Sequence, residues 1–295
     1  MKATQRYTKL ICLTCLTLFS IKSFAAEPVP EREDKFTIAA GVTHNSVPYT
    51  AADSITEAVP LFDIQYGPLF AYNKNDEPVF GVELFRHKRV MLALAAVYGS
   101  LYLDNADISK DKTWVYYGIK DRDKATEVAL IFDFYSKVGL VEIMVARDVS
   151  NTYDDFRSSI SWSRPFPDTG KWTITPRMYG KYYSIKYNDF YYGVSAAEMD
   201  AGVDIAVDQG RGINGTPISE NTANGNLGYR QLRPAYEAGN AGQFGVDISI
   251  DYNFTEHFKV QGYLGLEQLA GQVTSSVLVE DADIIKASLG IAYTF

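Results

Sequence analysis

The sequence predicts an antiparallel transmembrane β-barrel, and three observations carry that expectation. First, the chain repeats long segments in which apolar and polar residues alternate strictly; in 244–254, Phe244, Val246, Ile248, Ile250, Tyr252 and Phe254 oppose Gly245, Asp247, Ser249, Asp251 and Asn253. Alternation over about ten residues matches one tilted membrane crossing, with one face toward lipid and the other toward a polar interior. Second, the final ten residues repeat this pattern and end on Phe295. Third, the chain holds 21 Tyr and 16 Phe, a supply suited to the aromatic girdles at the two rims of a barrel. A soluble sandwich also alternates, but its strands usually run to about five or six residues.

The N-terminus is a secretion signal by pattern. Lys2, Arg6 and Lys9 precede the apolar run Leu10–Ile21, and Ser23-Phe24-Ala25 supplies small residues at the two positions that a signal peptidase reads. Cleavage is expected after Ala25, giving a signal over 1–25 and a barrel domain over 26–295. The apolar run is too short for a membrane helix, which needs about 20 residues. Both cysteines, Cys12 and Cys15, lie inside the signal, so disulfides and thiolate chemistry are not expected in the exported chain. Losing four cations and no acid takes the formal charge from −8 to −12. An acidic surface argues against a nucleic-acid partner.

Eleven strand-like stretches follow in order: 35–44, 60–72, 78–86, 90–103, 125–136, 138–148, 153–164, 171–187, 244–254, 257–270 and 286–295. Bacterial barrels have even strand numbers, so twelve strands are expected, with ten as the alternative. The missing strand is sought at 228–238, or in a misread connection at 45–59. No helix is expected. Tight links at 86–89, 136–138, 164–171 and 254–257 alternate with longer ones at 104–124, 188–242 and 271–284. Short turns belong on the periplasmic side and long loops on the cell surface. Trp162 and Trp172 flank the turn 164–170 as girdle residues would. This reading places the chain in the outer membrane of a Gram-negative bacterium.

Residue chemistry offers no catalytic centre. His44 ends the first strand, His87 and His257 occupy turns, and none has a nucleophile and an orienting acid in an evident pattern. The acidic clusters Asp104-Asn105-Ala106-Asp107 with Asp111, Asp121-Arg122-Asp123 and Asp281-Ala282-Asp283 lack calcium-loop spacing. Solvated loop charge is the expectation, with divalent bridging to lipopolysaccharide as the alternative. No phosphate loop, dinucleotide fingerprint or zinc cluster is present, so neither cofactor nor metal is expected. If the apolar faces meet lipid, Arg147, Arg177, Lys181, Asp247, Asp251, Lys259, Gln261 and Glu267 face inward. Their mixed signs favour a plugged interior, although twelve strands also permit a narrow channel.

The segment Tyr191-Tyr192-Gly193-Val194-Ser195-Ala196-Ala197-Glu198, the stretch Arg233-Pro234-x-Tyr236 and the ending Gly290-x-Ala292-Tyr293-x-Phe295 together resemble the MipA/OmpV family of outer-membrane proteins. The resemblance spans the mature chain and implies a scaffold that brings a murein lytic transglycosylase together with a murein synthase at the periplasmic face. It also implies, for other members, roles as adhesins, surface antigens or participants in antibiotic response. No catalytic residue is carried over. The insertion 199–228 departs from the family pattern. A narrow channel for small solutes or antibiotics is the alternative function. Finally, Leu289, Ile291, Tyr293 and Phe295 resemble the C-terminal signal read by the barrel-assembly machinery.

Overall fold

A computed structural model describes residues 33–50, 52, 54–74, 77–104, 114–166, 170–208 and 233–295. The expected cleavage position, Ala25, lies outside them, as do residues 105–113 and 209–232. Twelve strands close into one up-and-down antiparallel barrel: β1 (Lys35–Asn45), β2 (Ile55–Tyr66), β3 (Leu69–Lys74), β4 (Glu77–His87), β5 (Val90–Tyr98), β6 (Thr126–Ser136), β7 (Gly139–Asp148), β8 (Phe156–Ser163), β9 (Trp172–Tyr183), β10 (Ala241–Asn253), β11 (Phe258–Gly271) and β12 (Asp283–Thr294). Each strand pairs with its sequence neighbours, and β12 returns to β1.

Side-chain alternation is inverted relative to a soluble protein. In β6, Glu127, Ala129, Ile131 and Asp133 are buried inside, while Val128, Leu130, Phe132 and Phe134 are exposed outside. The same holds along β1, where Phe36, Ile38 and Val42 face out and Thr37 and Thr43 face in. A continuous wall of large exposed apolar side chains is unsuited to water and suited to hydrocarbon. Closure also pairs nearly all of the strand edges that lipid would otherwise desolvate. The β1–β12 seam is tight: Gly41 pairs with Gly290, and a Cβ on Gly41 would lie 2.8 Å from the Leu289 carbonyl oxygen. Phe295 completes the seam by donating its backbone N–H to the Phe36 carbonyl at 3.0 Å.

The strand count is as expected, but the eleven-stretch reading misplaces the missing strand. Residues 60–72 are two strands, folded back at Tyr66-Gly67-Pro68-Leu69, where Gly67 takes φ 52°. A continuous apolar pattern ran across that hairpin and hid the turn. β2 also begins at Ile55, inside the stretch read as a connection at 45–59. The other candidate, 228–238, contains no strand among its described residues, only a bridge of Tyr236 to Val194.

Two helices correct the expectation of none: α1 (Ile185–Tyr192) and α2 (Ala196–Asp208). Ser184 caps α1 by accepting from the Tyr187 N–H, so the strand read as reaching 187 ends at Tyr183. α2 opens with a capping box: the Glu198 N–H donates to Ser195 Oγ at 3.2 Å, and the Ser195 N–H donates back to Glu198 Oε2 at 3.0 Å. The Ser-x-x-Glu signal was present in the sequence. The aromatic, strand-like composition of α1 obscured it.

Candidate functional site

The barrel's two mouths differ, and the lumen between them is crowded. Near the surface ends of the strands, Arg157 lies between two carboxylates, 2.8 Å from Glu127 and 3.3 Å from Glu77. Nearby, Glu267 lies between two ammonium groups, 3.1 Å from Lys286 and 3.8 Å from Lys181. Glu77, Lys181, Glu267 and Lys286 line one cavity, so an acid–base–acid triad and a base–acid–base triad meet and cancel in charge. Buried charge is tolerated when each ion is paired and hydrogen-bonded. Tyr179 adds a hydrogen bond to Glu267 at 2.5 Å, and Gln243 donates to the same carboxylate.

The long-loop mouth is closed by a hydrophobic core of its own. Tyr49, Leu103, Val115, Tyr153, Tyr187 and Leu278, from five loops, pack with rim residues Tyr183, Ala241, Leu269 and Ile284. Helix α1 is its hub. Tyr49 Oη donates to the Tyr191 carbonyl at 3.3 Å, Tyr191 Oη to the Asp123 carbonyl at 3.0 Å, and Ser276 Oγ to the Tyr192 carbonyl at 2.6 Å. The Tyr187 ring stacks on Tyr183 at 4.4 Å and meets Tyr153 edge-on at 4.9 Å. Each loop thereby attaches to one buried helix.

The family-like residues turn out to be the fastening of this plug. Val194 and Tyr236 exchange backbone hydrogen bonds of 2.9 and 2.7 Å. Glu198 Oε1 lies 2.8 Å from an Arg122 amino group and also accepts the Lys120 N–H at 3.2 Å. Arg233, fully buried, donates to the Glu198 carbonyl at 2.8 Å, and Arg122 to the Gly193 carbonyl at 3.4 Å. Burial opposes ionisation of Glu198, but the Ser195 N–H and the Arg122 guanidinium outweigh it and hold this carboxyl below its usual range. Arg122, read within an acidic cluster as solvated loop charge, is a buried cation missed by sequence reasoning; its partner lies 76 positions away.

The short-turn mouth opens instead into a vestibule of about 340 Å³. Its wall carries three ion pairs: Lys35–Asp63 at 2.5 Å, Arg177–Asp247 at 2.6 Å and Lys259–Asp251 at 3.2 Å. Arg177, Lys181, Asp247, Asp251, Lys259, Gln261 and Glu267 therefore face inward as expected. Arg147 does not. It shares the outward face of β7 with Ile143 and Val145 and sits exposed, 3.7 Å from Asp154. The end of a strand at a rim admits a charge on the lipid-side face, so alternation alone misassigned it.

Around this mouth runs an aromatic belt: Trp172–Tyr252 at 4.6 Å, Phe258–Tyr293 and Tyr293–Phe295 at 4.8 Å, and Phe36–Phe295 at 5.1 Å. Leu289, Ile291 and Phe295 point outward from β12. His257 Nδ1 lies 2.9 Å from the Thr294 carbonyl, His44 Nδ1 2.7 Å from Thr56 Oγ1, and the His87 ring stands beside Phe85. In the cluster 281–283, Asp281 accepts the Asp283 N–H at 2.9 Å and Asp283 accepts from Gln268. Apart from Asp104, the 104–111 cluster falls outside the described residues.

In sequence the chain is similar to outer-membrane proteins. The chain is 20% identical over 286 residues to the outer membrane protein YiaT of Escherichia coli O157:H7, covering 97% of this chain and all of that one. It is 23% identical over 267 residues to the MltA-interacting protein of Escherichia coli K12, covering 90% and 93%. Similar solved structures include an outer membrane channel from Pseudomonas putida F1, with a TM-score of 0.39, 8% identity and coverage of 94% and 100%. The translocator domain of the autotransporter NalP from Neisseria meningitidis has a TM-score of 0.36, 6% identity and coverage of 99% and 96%. The protein resides in the outer membrane, its short turns toward the periplasm and its long loops at the surface. The profile of the family described as "MltA-interacting protein MipA" matches residues 38–295, and the chain belongs to that family.

Proposed function

We propose that the protein is a non-enzymatic, non-conducting scaffold whose periplasmic face docks a murein lytic transglycosylase and brings it together with a murein synthase. The observation that carries this reading is the asymmetry of the mouths. Five loops and a buried helix close the surface end, while the periplasmic end presents a charged vestibule rimmed by short turns. A relative in Escherichia coli is named for interaction with MltA. Lipid contacts the outward stripes, and the C-terminal face Leu289, Ile291, Tyr293 and Phe295 is the segment read by the barrel-assembly machinery.

Binding of purified transglycosylase and synthase to the folded protein in nanodiscs tests the docking. Micromolar or tighter binding to the periplasmic face is expected; no binding at 100-fold higher concentration sinks the reading. The alternative, a narrow channel, is supported by the lumen cavities and predicts discrete openings of the purified protein in planar bilayers, where the scaffold predicts silence. Deleting Phe295 separates assembly from packing: periplasmic accumulation is expected, and normal insertion would refute the assembly role.

A further inference from the structure

Among the described residues, the barrel wall is incomplete at one place. Every other neighbouring pair of strands is paired over at least six residues, but β2 meets β3 over only four, Asp63–Tyr66 with Leu69–Tyr72. The cause is length: β3 has six residues between neighbours of twelve and eleven. Among the described residues, 55–62 of β2 consequently pair with β1 on one side and with no strand on the other.

This gap begins inside the apolar band. Pro60 and Ala58 pair with Ala40 and Val42, whose outward stripe faces lipid, and the gap runs up to Thr56 opposite His44 at the rim. Its edge is adapted to lacking a partner strand. Pro60 has no N–H to leave unsatisfied, and its carbonyl accepts from Asn73 Nδ2 at 3.1 Å. The ladder turns the N–H and carbonyl of Ala58 the same way as those of Pro60, into the gap. Hydrocarbon alone cannot satisfy these groups. With no partner strand for them among the described residues, these groups suit water or a molecule with a hydrogen-bonding head.

Behind it lies the upper lumen cavity, of about 100 Å³, and the two banks of the gap are its front wall: Ile55 and Glu57 on one side, Glu77, Leu101 and Tyr102 on the other. Glu57 pairs with buried, inward Thr43, yet is itself exposed, as a side chain at an opening is. Across from it, the Lys124 ammonium lies 4.8 Å from the Tyr102 ring centre. The cavity thus offers aromatic surface together with charges of both signs at its entrance.

We propose that the gap between β2 and the β3–β4 hairpin is a lateral portal, through which a small amphipathic molecule with an aromatic body and a hydrogen-bonding head passes between the outer leaflet and the upper cavity. The portal is independent of the docking reading. A tryptophan reporter tests it in the full-length protein, refolded into phosphatidylcholine vesicles with brominated acyl chains and checked for folding by heat-modifiable mobility. The increment over the native emission is measured for Leu101→Trp in the cavity, Leu94→Trp on the lipid face and Ser159→Trp on the fully paired inner wall.

Bromine is expected to quench Leu101→Trp at least twofold, as it does Leu94→Trp, and to spare Ser159→Trp. Lengthening β3 and β4 by two residues each, after Lys74 and before Glu77, is expected to abolish that quenching. Titration with 2-(4-bromophenyl)ethanol is expected to quench Leu101→Trp saturably, and to lose saturation when the hairpin is lengthened. A folded Leu101→Trp barrel as insensitive to brominated lipid as Ser159→Trp, or one whose quenching ignores the longer hairpin, overturns the portal. Unsaturable quenching by the alcohol overturns the binding of this ligand class.

Discussion

The two mouths of the barrel are built by different physics. The surface mouth behaves like a small globular protein: tyrosines and aliphatic side chains from five loops bury around one helix, and its polar residues are drawn into hydrogen bonds. At the periplasmic mouth short connections of two, four or eight residues end the strands, a smaller apolar cluster with Met91, Ile131 and Tyr135 covers part of one inner wall, and the charged residues line open space. A buried pair is costly to break because the surviving partner is left desolvated, whereas a pair beside water is nearly dispensable. The same chemical element, a carboxylate beside a cation, should therefore matter structurally at one end and functionally at the other.

The charged cluster beneath the plug supplies the largest expected effect. Arg157 is buried against Glu127 and Glu77, so Arg157→Met leaves two carboxylates facing each other and should cost about 3–5 kcal/mol. Equilibrium unfolding in urea with lipid vesicles measures it. Arg157→Met with Glu127→Gln should recover more than half, because the pair rather than either residue is what burial penalises. A loss under about 1 kcal/mol for the single variant would mean that water reaches this cluster and that the mouths communicate.

Next is the plug itself. Glu198→Ala strips Arg122 of its carboxylate and removes the reciprocal half of the capping box, an expected loss of about 3 kcal/mol confined to the loops. Proteolysis of the loops in intact vesicles should rise about a hundredfold, while unfolding of the strands is unchanged; equal protease resistance would show that the tyrosine core alone holds the mouth. Acid should imitate the substitution. Because the Glu198 carboxyl is held below its usual range, its contribution is complete above the ordinary carboxylate value of about 4.3 and lost as pH falls through the lowered folded value. Planar-bilayer recordings should stay silent from pH 7 to pH 5 and show openings only below about pH 4, and Glu198→Gln should remove that threshold.

How much of this was legible follows from the range of each signal. Strand alternation is local, so β6 or β10 could be read from their own eleven or thirteen residues, and an even strand count followed from closure. The β2–β3 hairpin was missed because Gly67-Pro68 interrupts an apolar run without changing its composition. The plug was missed for a deeper reason. Its contacts join Tyr49 to Tyr191 and Arg122 to Glu198, across loops whose sequences look polar and irregular, and burial of that kind is decided by closure of the barrel beneath. Tyr191–Glu198, Arg233 and Tyr236 were singled out by resemblance, and their common place in one knot gives that pattern a physical reason.

The smallest structural effect is expected where the proposed functional effect is greatest. Asp251 and Lys259 lie side by side on the vestibule wall, 3.2 Å apart on the paired strands β10 and β11. Asp251→Asn with Lys259→Gln keeps shape and hydrogen bonding while removing both charges, so stability should change by less than about 1 kcal/mol. If the vestibule is the docking face, the same double variant should weaken transglycosylase binding about tenfold, and the weakening should fade as salt screens the native interaction. Charge reversal on both, Asp251→Lys with Lys259→Asp, preserves the pair but inverts its field. Recovered stability with binding still lost would locate recognition in the charge pattern of the periplasmic mouth, whereas unchanged binding in both variants would move the docking surface away from the vestibule to the turns around it.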